Sequence, residues 1–456
     1  MQSQTHEETH GRPKFPQPPR GADDATRRPG GALDIAVIGA GPVGLALAVH
    51  AARALPQARI TLFDARPAHG DGPRDARTLA LSLASVQLLE RLGAWAGAAA
   101  QPILEVHVSQ QGPSLAENVA LQLGARWGLD SDEPALRFRA DDEGVPMLGA
   151  VLSYGAIVEP LQSAWMAAAA REPLRLLSRF NTPVAALKNL GNRGEGVQLD
   201  AGSVERFDLA IVAEGGVFAD QARKALVHDY RQTAWVGQVG FSAEPAPDAP
   251  HPPLPHQRLP QQPLPPRQPG VAFERFTRHG PAALLPLKDG RAALVWCVAA
   301  DDDPVRDLDA AQRIAVLNQV FHPAVGRIES ISALKSFGLG LNAERTLTDG
   351  RIVRIGNAAQ TLHPVAGQGL NLGLRDGFDL VRALARDADL EAVLRKLEWQ
   401  RAPDRWAMIA ATDFLARSFT WALPGAASAR AIGLGLLQRI APLRSALARQ
   451  MMFGGG

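Results

Sequence analysis

Three glycines near the start of the chain have the spacing of a phosphate-binding turn. Gly39, Gly41 and Gly44 follow a short apolar run and precede an Ala/Leu/Val-rich segment. This pattern predicts a strand, a tight turn and a helix. The first glycine permits the turn, the second lets a pyrophosphate approach the backbone at the helix N-terminus, and the third lets helix and strand pack closely.

An acidic residue at a suitable distance strengthens this prediction. A second apolar run ends at Asp64, twenty residues after Gly44, where a carboxylate can accept a hydrogen bond from an adenosine ribose hydroxyl. Arg77, which precedes the next predicted helix, is a further candidate cofactor contact. Taken alone, Asp64 and Arg77 could both be solvated residues, but together with the glycines they predict a dinucleotide site.

A second glycine-rich turn lies far along the chain. An apolar strand reaches Gly356 and is followed by a turn and a predicted helix at 370–384. The turn contains Pro364, Gly367 and Gly369. Glycines before a helix N-terminus expose backbone donors that can hold an electron-rich group, such as the pyrimidine edge of a flavin. Asn357 could bind a ribityl hydroxyl, whereas His363 is read as a hydrogen-bonded turn residue rather than a catalytic one.

A third strand end could meet a ligand. The apolar run in 203–216 ends at Glu214, which two glycines follow. Ligands of open α/β sheets bind at the carboxyl ends of the strands. Glu214 could also be a solvated turn residue, so both readings stay open.

Composition excludes several classes of protein. The 456 residues include 48 basic and 46 acidic ones, and the formal charge of +2 does not suggest nucleic acid as a partner. Cys297, the only cysteine, lies in a predicted buried strand and excludes a disulfide framework or a cysteine-based zinc site. Residues 1–31 fit neither a secretory signal nor a transit peptide. We therefore predict a disordered arm and a soluble, cytoplasmic protein.

The remaining chain supplies the elements that must position these residues. Leu83, Val86, Leu89 and Leu92 recur at helical spacing, and 234–299 is rich in predicted strands. Aromatic residues there could line an apolar tunnel, although ordinary core packing is favoured; they are Trp235, Phe241, Phe273, Phe276 and Trp296.

Two segments could serve as surfaces for partners. The Pro-rich insertion at 245–269 is read as an exposed, extended loop. The segment 414–456 holds five arginines and no acid among apolar residues. That composition permits a basic amphipathic surface for a bilayer or a protein partner, but a helical cap packed on the protein's own body is favoured.

Several motifs in this order resemble the FAD-dependent aromatic hydroxylases of ubiquinone biosynthesis, the polyprenyl-phenol hydroxylases. These belong to the single-component flavoprotein monooxygenases that include para-hydroxybenzoate hydroxylase. The resemblance runs from about Asp34 to the C-terminus. It rests on the two glycine-rich stretches together with RTLALSLASVQLLERLGAW, AFERFTRHGPAALLPL and DRWAMIAATDFLARSF.

The resemblance implies an α/β fold, with a Rossmann-type FAD-binding domain interleaved with a β-sheet substrate domain and followed by C-terminal helices. The implied divisions are an arm at 1–31, FAD-binding parts at 32–105, 151–225 and 346–400, substrate-domain parts at 106–150 and 226–345, and C-terminal helices at 401–456.

The resemblance also assigns roles to residues. It implies that Gly39, Gly41, Gly44 and Asp64 hold the ADP half of FAD. Arg77 and Gln87 would lie nearer the phosphates and ribityl chain. Six residues would lie against the isoalloxazine: Pro364, Gly367, Gln368, Gly369, Leu370 and Asn371. The first four of these are our catalytic candidates.

Three positions depart from the wider family. Asn357 stands where an aspartate is usual and Gln360 where a histidine is usual, and the Ala-Asp-Gly motif reads Ala213, Glu214, Gly215. A neutral Asn357 can still bind a ribityl hydroxyl, but hydrogen bonds to charged groups contribute about 1.5–3 kcal/mol against about 1 kcal/mol for neutral ones. Somewhat weaker FAD binding is therefore expected.

The implied activity is hydroxylation of the aromatic ring of a polyprenylated phenol. NAD(P)H would reduce FAD as a transient reductant, and O2 would form a C4a-hydroperoxide that transfers oxygen. Two alternatives remain: a non-catalytic flavin-binding or scaffold subunit of a quinone-biosynthesis assembly, and a hydroxylase of a small soluble aromatic. The C-terminal arginine-rich segment could also make a peripheral contact with the inner membrane or a quinone-biosynthesis complex.

Overall fold

The computed structural model describes most of the chain. The described ranges are 32–68, 77–111, 135–191, 196–213, 224–242, 269–321, 325–364, 367–418 and 426–454. The predicted arm at 1–31, Glu214 and all but the last residue of the insertion at 245–269 lie outside these ranges.

Eight α-helices occur in the described ranges. They are α1 (Pro42–Ala54), α2 (Leu83–Arg91), α3 (Tyr154–Arg171), α4 (Ala310–Val320), α5 (Gln368–Leu384), α6 (Leu390–Ser418), α7 (Ala426–Arg439) and α8 (Ala441–Phe453). The helix predicted directly after Arg77 is present as α2 but begins at Leu83, and the helix predicted from Leu370 is confirmed as α5.

The strands of the described ranges form four sheets. The first eleven are β1 (Asp34–Ile38), β2 (Arg59–Phe63), β3 (Thr78–Ser82), β4 (Gln101–Ile103), β5 (Glu105–Gln110), β6 (Ala135–Arg139), β7 (Gly149–Ser153), β8 (Leu176–Arg179), β9 (Ala186–Asn189), β10 (Val197–Asp200) and β11 (Val204–Phe207). The others are β12 (Leu209–Val212), β13 (Lys224–Phe241), β14 (Val271–Thr277), β15 (Gly280–Pro286), β16 (Ala292–Ala299), β17 (Ile328–Ile331), β18 (Lys335–Glu344), β19 (Thr348–Asp349), β20 (Ile352–Arg354) and β21 (Gln360–Thr361).

A mostly parallel sheet carries the glycine-rich turns. Its order is β19-β20-β12-β1-β2-β8, and β1 pairs in parallel with both β2 and β12. β1 and β2 are almost fully buried, as expected for strands covered on both faces. α1, α3 and α5 pack against this sheet in the largest hydrophobic cluster. The predicted α/β fold class is confirmed.

A larger, mainly antiparallel sheet forms the second unit. Its main path runs β21-β18-β13-β16-β15-β14-β5-β6, and β17 pairs with β13. Both sheets are assembled from separate stretches of the chain. The interleaved arrangement agrees with the prediction in kind, while the domain boundaries themselves stay predictions; α6, for example, runs through residue 400.

One stretch before α2 differs from the sequence interpretation. Thr78–Ser82 is the strand β3, which pairs with β7, and not part of the helix that follows. Leu79 and Leu81 alternate with the smaller residues Thr78, Ala80 and Ser82, which gives the period of two that strands require. Ser82 then caps α2 by accepting a hydrogen bond from the backbone N–H of Ser85.

The C-terminal helices cover one end of the large sheet. α8 packs Ala448 and Met452 into a cluster with Phe138 of β6 and Leu83 of α2. This contact agrees with the favoured interpretation of the segment as a cap on the protein's own body. Among the residues that the structure describes, no helix is both long and apolar enough to cross a bilayer.

Candidate active site

The first glycine turn joins β1 to α1 by a very close backbone contact. Gly39 has a φ of 104° and donates its N–H to the Phe63 carbonyl at 2.8 Å. A Cβ on Gly44 would lie 1.8 Å from the Gly39 carbonyl oxygen, so no larger residue fits without moving the turn. Gly41 is the N-cap residue of α1, so no N-cap side chain accepts a hydrogen bond from the first backbone N–H groups of the helix. The first-turn N–H groups of α1 can therefore bind an anion.

Asp64 lies beside this turn, where the sequence places it. Its Oδ2 accepts a hydrogen bond from the Ala40 N–H at 2.6 Å, and Arg66 binds both carboxylate oxygens. Burial by itself would raise the pKa of Asp64, but the hydrogen bonds from Arg66 and Ala40 outweigh it and hold the pKa below its usual value. The Asp64 carboxylate is therefore ionised and can accept hydrogen bonds. One of its partners is Arg66, whose side chain is half-exposed.

Tyr154 connects Arg77 to the first turn. The Arg77 guanidinium lies 4.7 Å from the centre of the Tyr154 ring, and Arg66 donates to the Tyr154 hydroxyl at 3.4 Å. A Cβ on Gly41 would lie 3.6 Å from that hydroxyl. The sequence interpretation missed Tyr154; its position at the start of α3, directly after β7, is the only signal that could have indicated it.

The second glycine turn precedes α5. Gly367 is the N-cap of α5, with a φ of 59° and no side-chain cap within the described residues. Asn371, in the first turn of the helix, donates to the Gly367 and Ala80 carbonyls and accepts from the Ser82 N–H. Asn371 thereby fixes the turn to β3.

The two turns touch each other through small residues. A Cβ on Gly373 would lie 2.7 Å from the Gly356 Cα and 2.9 Å from a Val43 methyl group. Val43 belongs to the first turn of α1, and Gly356 lies just after the strand β20. Gly356 and Gly373 therefore allow the start of α1 to pack against the second glycine segment, by which we mean residues 356–373.

A cavity of about 400 Å³ lies where the second turn meets the large sheet. The turn contributes residues expected to face a flavin, namely Asn357, Pro364, Gly367, Gln368, Gly369, Leu370 and Asn371. The sheet contributes mainly apolar side chains, including Phe138, Phe273, Leu285 and Val295. No lysine or arginine is found among the described residues that line the cavity.

The structure does not test the cofactor roles predicted for Gln87 and Glu214. Gln87 lies on the exposed side of α2 and is not among the lining residues. Glu214 lies outside the described residues, although the preceding Ala213 has its Cβ 3.3 Å from the position of a Cβ on Gly44. The roles assigned to both residues stay predictions.

His363 also lines the cavity and is almost fully buried. Its Nε2 is 3.0 Å from Gln232 Oε1, and its ring meets Tyr230 edge to face at 5.2 Å. Tyr230 in turn donates to Asp413 at 3.0 Å. Burial lowers the pKa of His363 to about 4, so the imidazole is neutral at physiological pH. These contacts agree with a hydrogen-bonded residue that links the second turn to β13.

The departure at Gln360 has a structural explanation. Its Oε1 accepts a hydrogen bond of 2.6 Å from Arg405, which also donates to the Glu344 carbonyl at 2.6 Å. Gln360 and Arg405 are both buried, and neither lines the cavity. Gln360 therefore joins the second glycine segment to α6, so its change from the family pattern need not affect a bound flavin.

Most of the candidate tunnel aromatics are core residues. Trp235, Phe241 and Trp296 pack in the hydrophobic cluster of the large sheet, and Phe276 is almost fully buried in another. Phe273 is the one of the five that lines the cavity. The sequence interpretation did not anticipate the wall on the C-terminal side, which α8 provides with Ala448, Met451 and Met452.

Comparisons with known proteins agree with this arrangement. Residues 34–386 match the family model described as FAD dependent oxidoreductase. The ubiquinone hydroxylase UbiL of Rhodospirillum rubrum is 29% identical over 453 residues, covering 95% of this chain and 93% of that protein. The 3-demethoxyubiquinol 3-hydroxylase of Escherichia coli is 27% identical, covering 90% and 96%.

Solved structures share the fold. HpxO of Klebsiella pneumoniae, crystallised with FAD and uric acid, has a TM-score of 0.64 at 16% identity and covers 91% of this chain and 96% of its own. The p-nitrophenol 4-monooxygenase PnpA of Pseudomonas putida has a TM-score of 0.62 at 12% identity, covering 92% and 97%. At these identities the likeness concerns the fold alone.

Proposed function

Because the chain belongs to the FAD-dependent oxidoreductase family, we propose that it is a monooxygenase that hydroxylates the aromatic ring of a polyprenylated phenol in ubiquinone biosynthesis. Two relatives that align over most of their length are named as ubiquinone-pathway hydroxylases. NAD(P)H is the reductant and O2 the co-substrate in this proposal.

The lining of the cavity is the observation that carries the choice of substrate. Its sheet side is mainly apolar, with Glu274 as a charged member, and the described lining residues include no lysine or arginine that could pair with a carboxylate. Burying an unpaired carboxylate is costly, so an anionic small aromatic fits poorly. A neutral phenol with an apolar substituent matches the cavity better.

The residues present fit FAD. Two helices, α1 and α5, begin at glycines without side-chain caps, so both can direct N–H groups at an electron-rich ligand. A Cβ on Gly44 would displace the first turn. Gly39, Gly41, Gly44 and Asp64 would hold the ADP half, with Arg77 and Tyr154 beside it. The isoalloxazine would lie against residues 367–371.

When bound, FAD would supply electron transfer from NAD(P)H and activation of O2. The chain's own residues supply position and a dry environment. Asn371 fixes the second turn to β3. Asn357 reaches the start of α5, because its Oδ1 is 3.7 Å from the position that a Cβ on Gly369 would occupy. The mainly apolar sheet face would exclude water from the reacting ring.

A peripheral location forms part of the proposal. A cytoplasmic protein that takes a prenylated substrate must meet the inner membrane or another protein of the quinone-biosynthesis assembly. The C-terminal arginine-rich segment is the surface that supports such a contact, because it combines basic and exposed apolar residues.

The first experiment asks whether the protein is a redox enzyme. The purified protein should be yellow, its bound flavin should bleach with NADPH or NADH without oxygen, and the colour should return in air. Persistent absence of flavin, together with stable capture of other pathway proteins, would favour the scaffold alternative and contradict the proposal.

The second experiment addresses the substrate. A deletion strain should accumulate a prenylated phenol, and the wild-type gene should remove it. A gene carrying Gly44→Trp, which blocks the first turn, should not restore the pathway. Accumulation of a small soluble aromatic without a prenyl chain would contradict the proposed substrate and favour the other hydroxylase alternative.

A further inference from the structure

Helix α8 separates the cavity from the surroundings of the protein. Ala448 and Met452 on its inner side are both 3% exposed and line the cavity. Leu443 and Leu447, one turn apart on the same helix, are 49% and 37% exposed. One helix, about 10 Å across, therefore lies between the cavity and the outside.

Six large apolar residues are exposed on α7, on α8 and at the position between the two helices. We call this set the outer apolar face; it consists of Ile432, Leu436, Ile440, Leu443, Leu447 and Phe453. These are six of the thirteen exposed large hydrophobic residues in the described chain. Such clustering marks an interaction surface, whereas scattered exposed leucines do not.

The charges around this face select an anionic partner. Residues 426–454 contain four arginines and no acidic residue. Arg444 and Arg449 pair with Asp142 and Glu143 at 3.5 and 3.4 Å, so part of their charge is compensated. Apolar insertion and the arginines then both contribute to the attraction, and the arginines favour anionic lipid headgroups.

We propose that the prenyl tail of the substrate leaves the cavity along α8, and that the outer apolar face rests on an anionic bilayer that holds the rest of the tail. This inference rests on the proposed function, because only a prenylated substrate needs such a path. A cavity of about 400 Å³ lies near the lower end of the ~300–1,000 Å³ that single small-molecule ligands occupy. It cannot enclose a flavin ring, a phenol and a long tail together.

The inner side of α8 suits such a tail. Met451 and Met452 are unbranched and adapt to irregular apolar surfaces, and the small residue Ala448 also lines the cavity. Polar contacts hold the helix in place: Ser445 donates to Glu143 at 2.6 Å, and Gln450 donates to Asp404 at 3.2 Å. The tail therefore passes a fixed wall.

A vesicle experiment tests the outer face. The FAD-loaded full chain should float with phosphatidylcholine vesicles that contain phosphatidylglycerol and much less with pure phosphatidylcholine. The double variant Leu443→Ser/Leu447→Ser should lower the bound fraction on the order of tenfold. Leu174→Ser is the matched control, because Leu174 is 90% exposed outside α7 and α8. Equal binding by the double variant, or equal binding of the wild type to both vesicles, would overturn the proposal.

A substrate series tests the inner wall. We expect Ala448→Phe to lower the ratio of kcat/KM for a long-prenyl phenol to that for the phenol without a tail, by on the order of tenfold. Met452→Ala removes a contact without adding bulk and should lower the ratio by a smaller factor. Ala446→Phe, at an exposed position of α8, is the control for bulk.

The outcomes separate this inference from the proposed function. A wild-type enzyme that hydroxylates neither phenol contradicts the proposed function itself. A wild type that hydroxylates both, with a ratio that Ala448→Phe and Met452→Ala leave unchanged, overturns the path along α8 while the proposed function stands.

Discussion

The Oδ1 of Asn371 accepts a hydrogen bond of 2.9 Å from the backbone N–H of Ser82. The residues are 289 positions apart, and their contact joins the start of α5 to the end of β3. The Asn371 amide also donates to the Ala80 and Gly367 carbonyls at 3.1 and 3.0 Å. One buried side chain thus fixes the second glycine turn relative to the cavity.

Replacing Asn371 should both destabilise the protein and loosen the cofactor site. Asn371→Leu leaves buried backbone groups without their partner, at a cost of about 2–3 kcal/mol in the free energy of unfolding. We expect the FAD dissociation constant to rise on the order of tenfold as the Gly367 turn loosens. Denaturant titration and flavin fluorescence measure the two effects.

Asn318→Leu is the matched control for this prediction. Like Asn371, Asn318 bonds backbone groups through its side-chain amide, here the carbonyl and the N–H of Ile328 at 2.9 Å, but it belongs to α4 and does not line the cavity. It should lose similar stability and keep the wild-type FAD dissociation constant. Equal loss of FAD affinity in both variants would show that Asn371 acts only through global stability.

Gly44→Ala should damage the first turn. Its Cβ would lie 1.8 Å from the Gly39 carbonyl oxygen, so helix and strand must separate, at a cost of about 1–3 kcal/mol or more. The purified variant should contain little FAD, measured as the ratio of flavin to protein absorbance. Gly433→Ala, at a helical position with no atom within 4 Å of the added Cβ, should keep the wild-type ratio. A fully loaded Gly44→Ala protein would refute the requirement for close packing of helix and strand at this turn.

Asp64 should distinguish FAD from FMN. Asp64→Asn removes a charged acceptor, and hydrogen bonds to charged groups contribute about 1.5–3 kcal/mol. FAD affinity should therefore fall by roughly tenfold to a hundredfold. FMN lacks the adenosine ribose, so calorimetric titration should give nearly the same FMN affinity for both proteins. A parallel loss for FMN would indicate that Asp64 supports the turn rather than the ribose.

His363 should make stability depend on pH. Burial lowers its pKa from 6.5 to about 4, so the unfolded chain binds a proton first as the pH falls. Its contribution to stability is thus complete above the unfolded pKa and declines between the two values. Between about pH 7 and pH 5 the wild type should lose about 2 kcal/mol more unfolding free energy than His363→Gln.

Urea titrations at several pH values measure this difference. His228→Gln is the control, because His228 also packs against Tyr230, at 5.0 Å, but does not line the cavity. Parallel pH profiles for the wild type and His363→Gln would contradict a neutral, buried His363.

Local patterns were sufficient to predict the glycine turns. Asp34–Ile38 and Arg59–Phe63 are short, mainly apolar strands, and the glycine spacing after the first of them is typical of a dinucleotide-binding turn. The same holds for the turn at Gly367, since the residues expected at a flavin line one cavity. Short-range periodicity failed at Thr78–Ser82, where leucines spaced for a strand run directly into leucines spaced for a helix.

Long-range packing decided the rest. Tyr154 reaches Arg66 and Arg77, and Gln360 reaches Arg405, only because the folded chain brings distant segments together. The amphipathic C-terminal segment could have served as a free surface or as a cap; the fold makes α8 a cavity wall with an exposed outer side. Sequence spacing by itself identified the two glycine-rich turns as candidate dinucleotide sites, since such turns depend on neighbouring residues. Only the tertiary structure decided which side chains line the cavity beside the second turn, because their burial depends on partners that no local pattern identifies.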